Sequence, residues 1–309
     1  MRRVARLVFL IDVMLPYSHT PIVEIPLAGE VRLLIKREDQ NHPTVSGNKW
    51  WKLKYNLEQA REKGHTTLLT FGGAYSNHIY ATAAAAQQSG FRSVGIIRGE
   101  SAGPLNPTLA FAQRCGMKLH YVSREAYRQK DDAGFIKELR EKFGQAYVLP
   151  EGGSNNLAIK GCAEWGTQLV SEAAFDVLCV PVGTGATLAG LLTAVTITTE
   201  VIGFSTLKAG TFLQQQVERQ LAGCGCTSAG PWRVETRYHG GGYAKASAEL
   251  LQFIADFEQR YHIPLDPVYT GKMMLGIFDM IRRRAFAPGT TVLAIHSGGL
   301  QGRAGFGLP

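Results

Sequence analysis

The chain has 309 residues, 45% of them hydrophobic and 19% charged, with a formal net charge of +8 at pH 7. That length suits one large α/β unit or two moderate lobes, and the composition is that of a globular enzyme rather than a collagen-like or disordered chain. No apolar run approaches the roughly 18 residues of a membrane span, and the basic residues are scattered, with Arg282-Arg283-Arg284 the one tight cluster, so a nucleic-acid-binding face is not expected.

Read from its beginning, the chain opens on Arg2 to Ile11, which shares only the outline of a secretory signal. Its apolar core is short, Asp12 interrupts it, and no small-residue cleavage site follows, so a cytoplasmic protein is expected. Val31 to Lys36 reads as a strand. After Ser46-Gly47-Asn48-Lys49, apolar residues at helical spacing run from Trp51 to Lys63 and stop at Gly64. Thr67 to Phe71 is a buried strand, an alanine-rich helix then reaches Gly90, and Ser93 to Arg98 is the next strand. A helix ending near Gly116, a strand from Lys118 to Val122, a helix from Arg124 to Phe143 and a strand from Ala146 to Pro150 follow.

The second half repeats the pattern. A helix from Asn156 to Ser171 precedes the strand Val177 to Val182; a helix follows Thr187, and Val201 to Ser205 is a strand. Phe212 to Leu221 is a helix and Trp232 to Tyr238 a strand, followed by helices from Lys245 to Tyr261 and Lys272 to Arg284 and a last strand from Thr291 to Ile295. Strands alternating with helices imply an α/β fold of open, twisted, mostly parallel sheets flanked by helices. The five cysteines show no C-x-x-C spacing, and Cys224-Gly225-Cys226 lacks a second ligand pair, so reduced thiols and no metal are expected.

In such sheets ligands collect at the carboxyl ends of the strands. Lys49, opening a helix beside a glycine turn, is either an ordinary solvated lysine or one held in a pocket, where desolvation lowers its pKa and frees its nitrogen as a nucleophile. Gly183-Thr184-Gly185-Ala186-Thr187 offers backbone N–H groups and two hydroxyls, which suits a phosphate or, more plainly, a tight turn with a threonine cap. No Gly-Lys-Ser/Thr follows, so it is not a P-loop. Leu188 replaces the third glycine of a dinucleotide fingerprint, and the strand after it ends without a ribose-binding acid. Ser76-Asn77-His78, after Gly72-Gly73, fits both a helix cap and a carboxylate-binding loop. Ser297 closes the last strand, while Tyr243, Tyr269 and Thr270 sit in loops, where a tyrosine either packs or binds. A phosphate cradle and an activatable lysine in one sheet suggest a phosphorylated aldehyde held as a Schiff base, which means pyridoxal 5'-phosphate. A dinucleotide-binding oxidoreductase and a basic nucleic-acid-binding module are the rival classes.

The runs Lys36-Arg37-Glu38-Asp39, Ser46-Gly47-Asn48-Lys49, Phe71 to His78, Pro181 to Gly185, Asp266 to Lys272 and His296 to Gly299 together resemble the 1-aminocyclopropane-1-carboxylate deaminase / D-cysteine desulfhydrase family. These are tryptophan-synthase-β-like, fold type II pyridoxal-phosphate enzymes. The resemblance spans nearly the whole chain. It implies a large cofactor domain of residues 1–50 and 156–309, with residues 51–155 forming a smaller inserted domain, and a homodimer acting on a small amino acid. It also implies that Lys49 carries the Schiff base, that Asn77 bonds the cofactor's phenolic oxygen, that Gly183, Thr184, Gly185, Ala186 and Thr187 hold the phosphate, and that Ser297 faces the pyridine nitrogen. Ser76, Asn77 and His78 would bind the substrate carboxylate, with Ser76 also a candidate for direct chemistry. Tyr243, Tyr269 and Thr270 would lie near the substrate. Cyclopropane-cleaving deaminases carry Glu where Thr270 stands and Gln where His78 stands. The expected reaction is therefore β-elimination from D-cysteine or a similar substrate, with ring-opening deamination as the alternative.

Overall fold

The computed structural model describes residues 15–101, 103–208 and 211–308, so the signal-like run Arg2 to Ile11 lies outside the described residues. In chain order the first half contains β1 (Ile22–Ile25), β2 (Arg32–Lys36), α1 (Asn48–Glu62), β3 (Thr67–Gly72), α2 (Asn77–Gln88), β4 (Arg92–Arg98), α3 (Pro107–Arg114), β5 (Met117–Val122), α4 (Arg124–Tyr127), α5 (Ala133–Phe143) and β6 (Tyr147–Leu149). The second half contains α6 (Asn156–Glu172), β7 (Val177–Val182), α7 (Ala186–Leu192), β8 (Glu200–Ser205), α8 (Phe212–Gly223), β9 (Trp232–Glu235), α9 (Ala248–Tyr261), α10 (Thr270–Arg282) and β10 (Thr291–Ile295).

Among the described residues the strands form two sheets, one in the order β1-β2-β10-β7-β8-β9 and one in the order β5-β4-β3-β6. Every neighbouring pair is parallel except β1 with β2. The four strands of the smaller sheet all fall between residues 67 and 149. Val177–Val182 is buried along its whole length, as expected of a parallel strand covered on both faces. One core runs from the larger sheet to the smaller through α1 and α6, where Trp51 stacks on Trp165 with ring centroids 5.9 Å apart. On the other face of the larger sheet, Ile254 of α9 and Met273 and Ile277 of α10 pack on Leu33, Cys179 and Ile202.

The structure departs from the sequence reading at several edges. The helix expected from Arg124 to Phe143 is two helices, because the Asp132 carboxylate accepts from the Phe135 N–H at 3.0 Å and starts α5 afresh. The strand expected to reach Tyr238 stops at Glu235, whose carboxylate accepts the Arg237 N–H at 2.8 Å and turns the chain. The helix expected from Lys245 starts at Ala248, capped by the Ser247 hydroxyl. β1 was not foreseen; it is the antiparallel edge strand, short and only partly buried.

The close approach of α6 to α1 depends on Gly161. A Cβ there would lie 2.0 Å from the Trp51 carbonyl oxygen. Alanine normally favours a helix interior by about 1 kcal/mol over glycine, but here the backbone contact should reverse the sign. Gly161→Ala is expected to lower the unfolding free energy by about 1–3 kcal/mol, as overpacking does. A denaturant titration followed by tryptophan fluorescence measures it.

Candidate active site

The loop before α1 is fixed by its backbone. Gly47 has φ +69, and a Cβ on it would fall 1.8 Å from the Ser297 carbonyl oxygen, so only glycine fits this turn. Gly47 donates its N–H to the Glu38 carbonyl at 3.0 Å and to Asn41 Oδ1 at 2.8 Å, while Asn48 N–H reaches the Ser297 carbonyl at 3.3 Å. Beneath the loop, the fully buried Glu38 carboxylate accepts from Trp51 Nε1 at 2.6 Å, Thr20 at 2.9 Å and Asn41 at 2.9 Å. Burial pushes its carboxyl up despite these donors. The start of α1 is thereby pinned against the end of β10.

Lys49 and Lys52 then project into a cavity of about 300 Å³ at the carboxyl ends of the strands. Burial, helped by the nearby Lys52 charge, pulls the Lys49 amine down to about 7; burial brings Lys52 to about 8. Lys49 Nζ donates to Asn48 Oδ1 at 2.9 Å, and Asn48 Nδ2 donates to Thr187 Oγ1 at 2.9 Å. Lys52 Nζ donates to Ser154 Oγ at 3.2 Å, which in turn lies 2.5 Å from Thr184 Oγ1. Both chains of hydrogen bonds converge on the loop Gly183–Thr187. Among the described residues neither amine has a carboxylate within ion-pair distance.

That loop is shaped by two tight contacts. Gly185 has φ +91 and a Cβ would meet Gln220 Oε1 at 2.7 Å; at Gly183 a Cβ would press on the Tyr269 ring at 3.2 Å. The helix behind it, α7, is only seven residues long. Its dipole is correspondingly modest, and Lys52 adds positive charge beside it. A dianionic phosphate on this loop would meet the charge of the desolvated Lys52, and an aldehyde beside Lys49 would meet an amine that is in large part uncharged near pH 7. The residues present therefore fit a phosphorylated aldehyde.

Most residues singled out in the sequence reach this cavity: Lys49, Ser76, Asn77, His78, Gly183, Thr184, Gly185, Thr187, Tyr243, Tyr269 and Ser297 all line it. Ser76 Oγ accepts from the His78 and Ile79 N–H groups at 3.2 Å, so it caps α2 as well as facing the cavity. Asn77 Oδ1 accepts from Gln301, and its amide nitrogen packs so closely on Gly299 that a Cβ there would lie 2.4 Å away. The His78 ring is buried between Thr70 and Thr82. Thr70 donates to the Leu149 carbonyl, so its oxygen accepts from His78 Nε2–H at 2.7 Å. Burial holds this imidazole well below its usual pKa, and it is neutral. Tyr243 and Tyr269 meet edge to face with ring centroids 6.2 Å apart, and burial pushes the Tyr269 phenol well up.

Two expected positions do not line the cavity. Thr270 is fully buried; its hydroxyl donates to Asp266 Oδ1 at 2.7 Å and accepts from Asp266 N–H at 2.9 Å, closing the start of α10. Ala186 is also fully buried, and only its neighbours face the cavity. Tyr80 stacks on Phe111 with centroids 3.8 Å apart, and Tyr75 is 46% exposed against Gly305. Lys52 was missed in the sequence, although its spacing of three from Lys49 places both on one helix face. Arg98 and Glu151 on the cavity wall, and Lys272, whose buried amine donates to the Gly242 carbonyl at 2.8 Å beneath the Tyr243 loop, were missed as well.

Comparison with known proteins agrees with this chemistry. The family model "Pyridoxal-phosphate dependent enzyme" matches residues 13–298. The chain is 35% identical, over 87% of its length and 89% of the other's, to a candidate 1-aminocyclopropane-1-carboxylate deaminase of Thermotoga maritima. It is 30% identical to the Arabidopsis thaliana mitochondrial bifunctional D-cysteine desulfhydrase/1-aminocyclopropane-1-carboxylate deaminase, covering 93% of this chain and 78% of the other. A crystal structure of an ACC deaminase homologue superposes with a TM-score of 0.82 at 27% identity, covering 95% of this chain and 93% of that one.

The lowered Lys49 pKa has a direct readout. A depressed pKa leaves the amine neutral, and reactive, above about 7. Reductive methylation of Lys49 in cofactor-free protein should therefore rise with pH around a midpoint near 7. Lys52→Met removes the neighbouring positive charge and should move that midpoint upward. Peptide mass spectrometry across pH measures both.

Proposed function

The chain belongs to the pyridoxal-phosphate-dependent enzymes, within the group similar to 1-aminocyclopropane-1-carboxylate deaminases and D-cysteine desulfhydrases, and on that premise we propose that it eliminates the β substituent of a small D-amino acid, D-cysteine in the simplest case, giving pyruvate, ammonia and hydrogen sulfide. The observation that carries this reading is the side chain that follows Tyr269. The residue after it is a threonine, turned inward and bonded to Asp266, where the deaminases this chain resembles have a glutamate. A cyclopropane amino acid has no Cα proton, so opening its ring needs a nucleophile or a base at the methylene. A buried threonine supplies neither.

When bound, pyridoxal phosphate makes the substrate's Cα–H acidic and accepts electron density from the carbanion. In this reading Lys49 carries the cofactor, Thr184 and Thr187 with the backbone of Gly183 to Ala186 hold its phosphate, and Lys52 adds charge there. Asn77 holds its phenolic oxygen and the Ser297 hydroxyl faces the ring nitrogen. Ser76, with the N–H groups at the start of α2, receives the substrate carboxylate, and the neutral His78 packs behind that loop as a wall. Lys49, once released, takes the Cα proton; a neutral amine near pH 7 suits that task. Tyr243 and Tyr269 cover the substrate and exclude water. The same reading assigns residues 51–155 to a smaller domain inserted in a larger one, and takes the enzyme as a cytoplasmic homodimer.

Ring-opening deamination remains the second reading, because the Arabidopsis relative bears both activities in its name. With D-cysteine or β-chloro-D-alanine, pyruvate should form, and 1-aminocyclopropane-1-carboxylate should give little or no 2-oxobutanoate. A missing general base is typically worth about 10²- to 10⁴-fold, so turnover of the cyclopropane at or above the D-cysteine rate reverses the assignment. For the lysine, Lys49→Ala should fold and bind no cofactor that borohydride can fix to protein. A borohydride label on Lys52, Lys54 or Lys272 of the wild type would instead move the Schiff base.

A further inference from the structure

The cavity wall carries a third basic side chain besides Lys49 and Lys52. Arg98 ends β4 at the ligand edge of the smaller sheet, is exposed, and lines the same cavity as Lys49. Its Nη2 lies 3.6 Å from where a Cβ on Gly73 would stand, which places the guanidinium against the loop that leads to Ser76. The guanidinium sits over the Tyr127 ring at 5.7 Å, a platform only 3% exposed. Glu151 is on the same wall but is engaged elsewhere: it accepts from the Tyr127 hydroxyl at 2.8 Å and lies 3.7 Å from Lys130 Nζ. Among the described residues Arg98 has no carboxylate within ion-pair distance and no hydrogen-bond acceptor.

We propose that Arg98 is a specificity-determining residue that binds an oxyanion at the distal end of the substrate, so that the preferred amino acids carry an acidic β substituent such as a phosphate or a carboxylate. The argument is one of position. The substrate's α-nitrogen must reach the desolvated end of the cavity at Lys49, and its α-carboxylate, two bonds away, stays at that end. The exposed guanidinium at the rim meets what lies at the other end of the molecule. An arginine fork with open donors is suited to a planar or tetrahedral oxyanion. The inference rests on the proposed amino-acid site around Lys49 but not on which bond is broken there.

The test uses holoenzyme and reads binding separately from turnover. Cofactor absorbance is titrated with O-phosphoserine and S-carboxymethylcysteine, each against serine, in D and L forms; pyruvate release is followed in parallel. Wild type should bind the anionic compounds at least about tenfold more tightly than serine. R98A should remove that preference while binding serine within about threefold of wild type, R98K should keep part of it, and R98E should reverse it. Because Arg98 is exposed, the variants should retain the wild-type cofactor spectrum. No preference in wild type overturns the proposal, as does equal weakening of serine and the anionic compounds in R98A, which would place the guanidinium on the α-carboxylate. Absence of pyruvate with the binding preference intact would count against β-elimination and leave the assignment of Arg98 standing.

Discussion

Two amines one helical turn apart, withdrawn from water and, among the described residues, without a carboxylate partner, are the constraint around which the molecule is arranged. Burial pulls Lys49 down to about 7, and the neighbouring Lys52 charge adds to the fall. The fold answers with acceptors rather than acids: Asn48 for Lys49 and Ser154 for Lys52, each leading on to a threonine of the glycine loop. A carboxylate in their place would restore the lysines as ordinary cations and leave no reason for an anion to enter. Keeping the acids away takes structure. Glu38 lies directly beneath this helix but is saturated by an indole, an amide and a hydroxyl, and Asp266 is committed to the N–H groups at the start of α10.

What was legible in the sequence was what depended on local pattern. The buried runs Val177–Val182 and Thr291–Ile295 appear where read, because a strand covered on both faces is apolar throughout. The glycine loops were legible because few backbones tolerate their geometry, and Gly47 against Ser297 is the clearest instance. β1 was not legible, since its four residues form a strand only through pairing with β2. Thr270 misled for a related reason. Its neighbour Tyr269 faces the cavity, and nothing local shows that Asp266, four residues earlier, turns the threonine inward. Arg98 and Glu151 could not be found by spacing at all, because they reach the cavity from the smaller sheet and the turn that leaves it.

The two sheets contribute differently to the cavity. The larger one supplies the glycine loop, Ser297 and the start of α1; the smaller one supplies Ser76, Asn77 and Arg98. Between them the chain passes through Gly152 and Gly153, both at positive φ, with the His78 ring and Thr184 hydroxyl packed where side chains would otherwise stand. Contacts that position the nucleophile are thus backbone-fixed within one sheet. Those that would judge the substrate come from both.

The aromatic packing beneath α1 has an optical consequence. Trp50 and Trp51 follow Lys49 directly, Trp51 stacks on Trp165, and its indole N–H ends on Glu38. Three of the four tryptophans of the chain therefore form one cluster attached to the helix that carries the reactive amine. Ultraviolet excitation of the protein is in large part excitation of that cluster. Any chromophore seated against Lys49 lies close to this cluster, so the emission should respond to occupancy of the site. The enzyme carries its own luminescent gauge at the site, and no label needs to be introduced to read it.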